Sequence, residues 1–110
     1  MSSLKPLPLK LSPKAQQDFI QILRYTGETW GEKQLQVYRD KIDGSLQAIS
    51  QDLQLGRSRD DLPPALSAYL VGSHVIVYRD LGSTIGIVRI LHQRMSLAKH
   101  VSGFSPGGIF

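Results

Sequence analysis

Apolar residues follow two periodic regimes along the chain, with steps of three and four in the first half and of two in the second. Leu7, Leu9 and Leu11 alternate with Pro8 and Lys10, which predicts a short edge-type strand, since proline cannot donate to a central ladder. Ser12-Pro13 follows as an N-cap with proline at the first helical position. Ala15, Phe19, Ile22 and Leu23 then recur at helical spacing and predict a first helix to about Thr26. Gly27 and Gly31 bracket Glu28-Thr29-Trp30 as a tight connection. Leu35, Tyr38, Ile42, Leu46, Ile49 and Leu53 form one apolar stripe, a second helix that Gly56 ends. A short link makes the two helices pack antiparallel. Gly44 interrupts the second helix at a cost of about 1 kcal/mol relative to alanine, with close packing as its one evident reason.

The period changes after a charged loop from Arg57 to Ala65 that Pro63 and Pro64 close. Leu66, Ala68 and Leu70 alternate with Ser67, Tyr69 and Val71, and Gly72-Ser73 makes a two-residue hairpin turn into Val75, Ile76, Val77 and Tyr78. Asp80-Leu81-Gly82-Ser83 turns again. Ile85 to Leu91 is apolar on both sides, which predicts a central strand. The predicted fold class is α+β in the order β-α-α-β-β-β: an N-terminal strand and an antiparallel helical hairpin packed on a small antiparallel sheet. One domain over residues 1–101 is expected, with the glycine-rich residues 102–110 as a flexible tail.

Composition narrows the function classes. The 110 residues contain no cysteine, which excludes disulfides, thiol catalysis and zinc–thiolate sites and fits a reducing compartment. Pro6, Pro8 and Lys10 break the apolar start, so no signal-peptide core is read there, and no stretch reaches the roughly 18 apolar residues of a membrane span. A cytoplasmic location without a membrane partner is the expectation. The net charge is +4, and all nine acids lie between Asp18 and Asp80. Lys5, Lys10 and Lys14 at one end and Arg89, Arg94 and Lys99 at the other stand in acid-free segments. If the ends meet, they form a positive surface suited to an acidic partner, either nucleic acid or an acidic protein segment; otherwise these are solvated charges that keep a small protein soluble.

No Walker loop, dinucleotide-binding glycine motif or nucleophile elbow is present, and no cofactor is expected. His74, His92 and His100 lack the spacing of a helical metal pair and have no carboxylate near them in sequence, so no metal site is expected. The run from Val88 to His100 holds the remaining chemistry. Read as a regular strand, it places Arg89 on one face with Ile85, Ile87 and Leu91, with His92 on the other and Arg94 just past the end. A metal-free ribonuclease needs a general base, a general acid and cations for the phosphorane charge, and His92, His100 and Arg94 are residues of those types. On the alternative reading, His92 holds backbone at a strand end, Arg89 lies over an apolar surface, and Arg94 and Lys99 are solvated.

Several short motifs occur together in a distinctive order. Leu11-Ser12-Pro13-Lys14-Ala15, Tyr25 with Trp30-Gly31, Leu55-Gly56-Arg57-Ser58-Arg59, Val71 to Arg79 and Val88 to Met95 together resemble the RelE/ParE toxin superfamily, with the ParE branch as the nearer match. The resemblance covers about residues 7–101. It implies the toxin of a type II toxin–antitoxin pair with the fold described above. ParE-type members are inhibitors of DNA gyrase that catalyse no reaction themselves, and RelE-type members are ribosome-dependent mRNA endonucleases. Ser67, Tyr69, Val71, Val75 and Val77 offer few of the sheet lysines and arginines that a RelE-type nuclease uses, which favours gyrase as the target.

The resemblance also implies a cognate antitoxin, of ribbon-helix-helix type with an acidic toxin-binding segment, wrapped along the helical hairpin. Direct nucleic-acid binding is not the expectation. Ile20, Tyr25 and Trp30 are the expected antitoxin anchors; Ile20 and Tyr25 lie off the main apolar face of their helix, and Trp30 at the helix corner is an anchor or a structural staple. Arg89, Arg94 and Lys99 are the expected target-binding residues, and no catalytic residue is favoured unless the chain is a ribonuclease.

Overall fold

In the computed structural model, which describes residues 6–101, the predicted order of elements is present, and the expected tail over 102–110 lies outside the described residues. Strand β1 (Leu9–Leu11) leads to helices α1 (Pro13–Trp30) and α2 (Glu32–Gln51) and a single 3-10 turn (Leu53–Leu55). Strands β2 (Ser67–Val71), β3 (His74–Asp80) and β4 (Ile85–His92) follow, and a short helix α3 (Leu97–His100) closes the described chain. The sheet order is β1-β4-β3-β2, so the apolar β4 is internal as its composition requires. β2, β3 and β4 pair antiparallel, whereas β1 lies parallel to β4 with Leu9 opposite Ile85. The sheet is therefore mixed, because a triplet of alternating residues fixes a face but not the direction of its partner.

Both turns of the strand region use glycine at positive φ, Gly72 at 56° and Gly82 at 92°. The helical region departs from the sequence reading at three glycines. α1 runs through Gly27 to Trp30, and Gly31 alone joins the helices, at φ 95°. Gly27 serves packing instead of a break: a Cβ there would stand 2.8 Å from Leu35 Cδ1 of α2. α2 ends at Gln51, not at Gly56, because Asp52 turns extended and its carboxylate accepts the Gln54 N–H at 3.0 Å, starting the 3-10 turn. Gly56 makes room for the Tyr78 ring, whose hydroxyl accepts the Gly56 N–H at 2.7 Å and donates to the Leu53 carbonyl at 2.8 Å. Gly44 has open space around it, so close packing does not account for that residue.

The stripe on α2 lands where its period points. Ile42, Leu46 and Ile49 join Ala15, Val71, Ile76, Tyr78, Ile85, Ile87 and Ile90 in a core between the helices and the sheet. A second core covers the other face of the sheet. There Leu62 and Leu66 from the loop and Leu97 and Val101 from the C-terminal segment pack on Ala68, Val75, Val77 and Leu91.

A bulge in β4 determines which residues face which core. Arg89 pairs with Val77 while Ile87 pairs with the next residue, Tyr78, so Val88 is an inserted residue. The insertion reverses the alternation. Ile85, Ile87 and Ile90 face the helices, whereas Val88 and Leu91 face the second core. The expected sharing of one face by Arg89, Ile85, Ile87 and Leu91 is therefore wrong, and His92 belongs with Ile90 on the helix side. Two backbone groups of β4 in this region are met by α1: the Ser12 hydroxyl donates to the Val88 carbonyl at 2.8 Å, and Asp18 accepts the Ile90 N–H at 3.0 Å. The Ser12 oxygen also accepts the Ala15 N–H at 3.0 Å, so one N-cap both starts α1 and ties it to β4.

Candidate functional site

An open cleft of about 710 Å³ lies where the helical hairpin overhangs the end of the sheet. α1 supplies Asp18, Ile22, Tyr25 and Trp30, α2 supplies Tyr38, and the sheet side supplies His74, Ile90 and His92, with Met95 at the rim. Helical spacing places Asp18, Ile22 and Tyr25 along one side of α1. Tyr25 is 65% and Trp30 70% exposed, and Met95 is also exposed, so large apolar surface stands uncovered at the mouth. Trp30 thus presents most of its surface to solvent. Ile20 is 57% exposed but lies outside the cleft lining.

The cleft floor is polar and ordered. Tyr38 Oη lies 2.5 Å from His74 Nδ1, accepts the Ser73 N–H at 3.2 Å and reaches the Val71 carbonyl at 3.3 Å. His74 and His92 are direct cross-strand partners with ring centroids 5.3 Å apart, edge to face. Burial, with a smaller like-charge contribution from the neighbouring His92 that Asp18 offsets in part, lowers the pKa of His74 to about 4. Burial raises the pKa of the Tyr38 hydroxyl, so both groups are neutral at pH 7.

The His74 shift has a sign that a stability measurement reads. The unfolded ring protonates near pH 6.5 and the folded ring near 4, so between these values the unfolded state binds more protons. Stability is therefore full above about pH 6.5 and falls as the pH drops toward 4, by roughly 1–2 kcal/mol after discounting for the ring's partial exposure. Urea midpoints of the wild type and His74→Gln at pH 7 and pH 5 test this. The wild type should lose more than the variant, and equal losses would refute the assignment.

A family model described as "ParE toxin of type II toxin-antitoxin system, parDE" matches residues 9–97. This chain belongs to the ParE toxin family. It is 33% identical over 92 residues to Toxin ParE1 of Mycobacterium tuberculosis, covering 83% of this chain and 94% of that protein. Toxin ParE1 of Caulobacter vibrioides is 30% identical over 94 residues, 86% of this chain and 97% of that one. Among solved structures, a chain of the chromosomal ParDE system from P. aeruginosa has a TM-score of 0.68 at 20% identity, covering 78% of this chain and 95% of the other. A chain of the RelBE2 toxin–antitoxin complex from Mycobacterium tuberculosis has a TM-score of 0.53 at 21% identity, over 80% and 99% of the two chains, and supports the fold.

Within this ParE-family fold the basic residues after the bulge have different surroundings. Arg89 forms a two-pronged ion pair with Asp18, Nε to Oδ2 at 2.8 Å and Nη2 to Oδ1 at 2.9 Å, and donates a third bond to the His100 carbonyl at 3.2 Å. Its side chain is 15% exposed and that of Asp18 11%. Arg89 thus joins α1, β4 and α3, and the Asp18 pair raises its already high pKa. Arg94 and Lys99 are exposed on the segment beyond β4. His92 Nδ1 accepts the Arg94 N–H at 3.1 Å, and His100 Nδ1 bonds the Ser96 carbonyl at 2.7 Å. No hydrogen bond or ring contact joins His92 to His100 among the described residues; the ring that meets His92 is His74. His74 and Tyr38 are the site residues that sequence reasoning missed. The hairpin turn at Gly72-Ser73, which fixes the strand register, was the available signal for His74. Among the described residues there is no cluster of three His, Cys, Asp or Glu side chains placed to hold a metal, and no helix long and apolar enough to cross a membrane.

Proposed function

We propose that this ParE-family toxin inhibits DNA gyrase by binding it, catalysing no reaction, and that a cognate antitoxin neutralises it by filling the cleft. The observation that supports inhibition is the commitment of the strand-end chemistry. His92 turns into the cleft beside His74, His100 is anchored on its own helix, and Arg89 is spent on Asp18. The ribonuclease reading needs His92 and His100 to converge on one phosphate, and no hydrogen bond or ring contact brings these two together among the described residues. The exposed apolar mouth suits a helical or extended protein segment. The antitoxin is of ribbon-helix-helix type with an acidic segment, Ile20, Tyr25 and Trp30 are its anchors, and the chain acts in the cytoplasm. Arg94 and Lys99 contact the target, and Arg89 positions the segment that carries Lys99.

The test is purified full-length chain in a gyrase supercoiling assay, with and without the protein encoded by the neighbouring reading frame. Supercoiling should be lost and then restored by that protein, and Arg94→Ala with Lys99→Ala should weaken inhibition while the melting temperature holds. Intact supercoiling together with cleaved mRNA on induction would overturn gyrase inhibition in favour of RNA cleavage.

A further inference from the structure

The cleft floor carries a pair of hydrogen-bond donors that the fold itself does not use. His92 Nδ1 accepts the Arg94 N–H, so the neutral ring carries its proton on Nε2. The Tyr38 hydroxyl has one proton to donate, and its approach to His74 Nδ1, at 2.5 Å, is far shorter than that to the Val71 carbonyl, at 3.3 Å. Two proton arrangements fit these contacts: Tyr38 donates to the Val71 carbonyl while His74 donates from Nδ1, or Tyr38 donates to His74 Nδ1 while His74 carries its own proton on Nε2; an acceptor seated in the cleft selects the second. Neither Nε2 has a hydrogen-bond partner among the described residues, and neither is among the buried unsatisfied polar atoms, so both are open to the cleft.

The other charged or titratable groups facing this pair are few. α2 contributes Tyr38, already bonded to His74. α1 contributes the Tyr25 hydroxyl at the mouth and Asp18, whose oxygens are taken by Arg89 and the Ile90 N–H. The cleft thus offers two N–H donors on adjacent strands, no unspent acid, and a protein of net charge +4 around it. At the pair itself a lysine or arginine would meet N–H donors and no acceptor. A carboxylate, with two acceptor oxygens, fits both.

We propose that the His74–His92 pair is a carboxylate-reading subsite: one aspartate or glutamate side chain of the antitoxin segment seats on the two Nε2–H groups, covered by Tyr25, Trp30 and Met95. The proposal rests on the reading that an antitoxin fills the cleft. A seated carboxylate offsets the burial and like-charge repulsion that keep His74 neutral, so the complex takes up a proton in mild acid and binding tightens as the pH falls.

The probe is the purified protein from the neighbouring reading frame, titrated into the full chain, with each of its acids changed singly to Asn or Gln. One such change should weaken binding at least about tenfold, the worth of a charge-assisted hydrogen bond. That loss should disappear when His92→Ala is already present. His74→Gln with His92→Gln, which can still donate N–H, should bind at pH 7.5 but lose the tightening at pH 5.5. If these variants fold poorly, wild-type calorimetry in two buffers of different ionisation enthalpy reads the proton uptake directly. Tight binding that ignores every acidic substitution, or that takes up no proton below pH 6, overturns the subsite and leaves the antitoxin reading standing. Dependence on the partner's chain-terminal carboxylate in place of a side chain also overturns it. Absence of any binding defeats both.

Discussion

Asp18→Asn should destabilise the fold by about 3–5 kcal/mol, the usual result of removing one member of a buried ion pair. Asp18 receives three N–H groups, two from Arg89 and one from Ile90, on side chains little exposed to water. The substitution removes the charge that balances the Arg89 cation and sets an amide that is half donor against three donors. A small domain holds about 5–15 kcal/mol in total, so the loss is a large share of it. Arg89→Leu should also be costly, since it leaves the carboxylate of Asp18 with the Ile90 N–H only. The double variant should cost less than the sum of the two, because no uncompensated charge remains. Urea unfolding of the three variants checks this; a loss below about 1 kcal/mol for Asp18→Asn would show that the pair is worth no more than a surface bridge.

The second large effect is in the helix–sheet core. Ile42→Ala should cost about 2–5 kcal/mol, since Ile42 is fully buried against the sheet and its truncation leaves a cavity that rigid neighbours fill only in part. Leu46→Ala should fall in the same range. Gly44→Ala, two positions away on an open face of the same helix, should act in the opposite direction and stabilise by about 0.5–1 kcal/mol. Equal and small effects at Ile42 and Leu46 would mean that the stripe on α2 is not core.

The contrast between those neighbouring positions shows what the sequence makes legible. A stripe repeated over Ile42, Leu46 and Ile49 states its own burial, and the alternation from Leu66 onward states its own strands. Gly27 is ambiguous in sequence because helix breakers and close-approach glycines are the same residue, and only Leu35 in space distinguishes them. The bulge at Val88 is invisible in sequence, since an inserted residue in a strand apolar on both faces leaves no break in the pattern. It shifted Arg89 and His92 to faces that simple alternation does not give. Tyr25, Trp30 and His92 could be chosen from type and position. The Tyr38–His74–His92 group could not, because the long separation between α2 and the strands is closed only by tertiary packing and register. The Asp18–Arg89 pair was hidden in the same way, since the acid-free C-terminal segment draws its acid from the first helix.

The bond from Ser12 to Val88 spans 76 residues, and β1 pairs with β4 across the same distance. At about 5–20 residues per second of synthesis, roughly 4–15 s separate the appearance of Ser12 from that of its partner. During that interval α1 can form but lacks β4 to dock on, and the cleft lacks Ile90 and His92, which lie on that strand. The nascent chain therefore has no complete binding surface until β4 has been made, and a partner that reads the whole cleft cannot engage this protein before then.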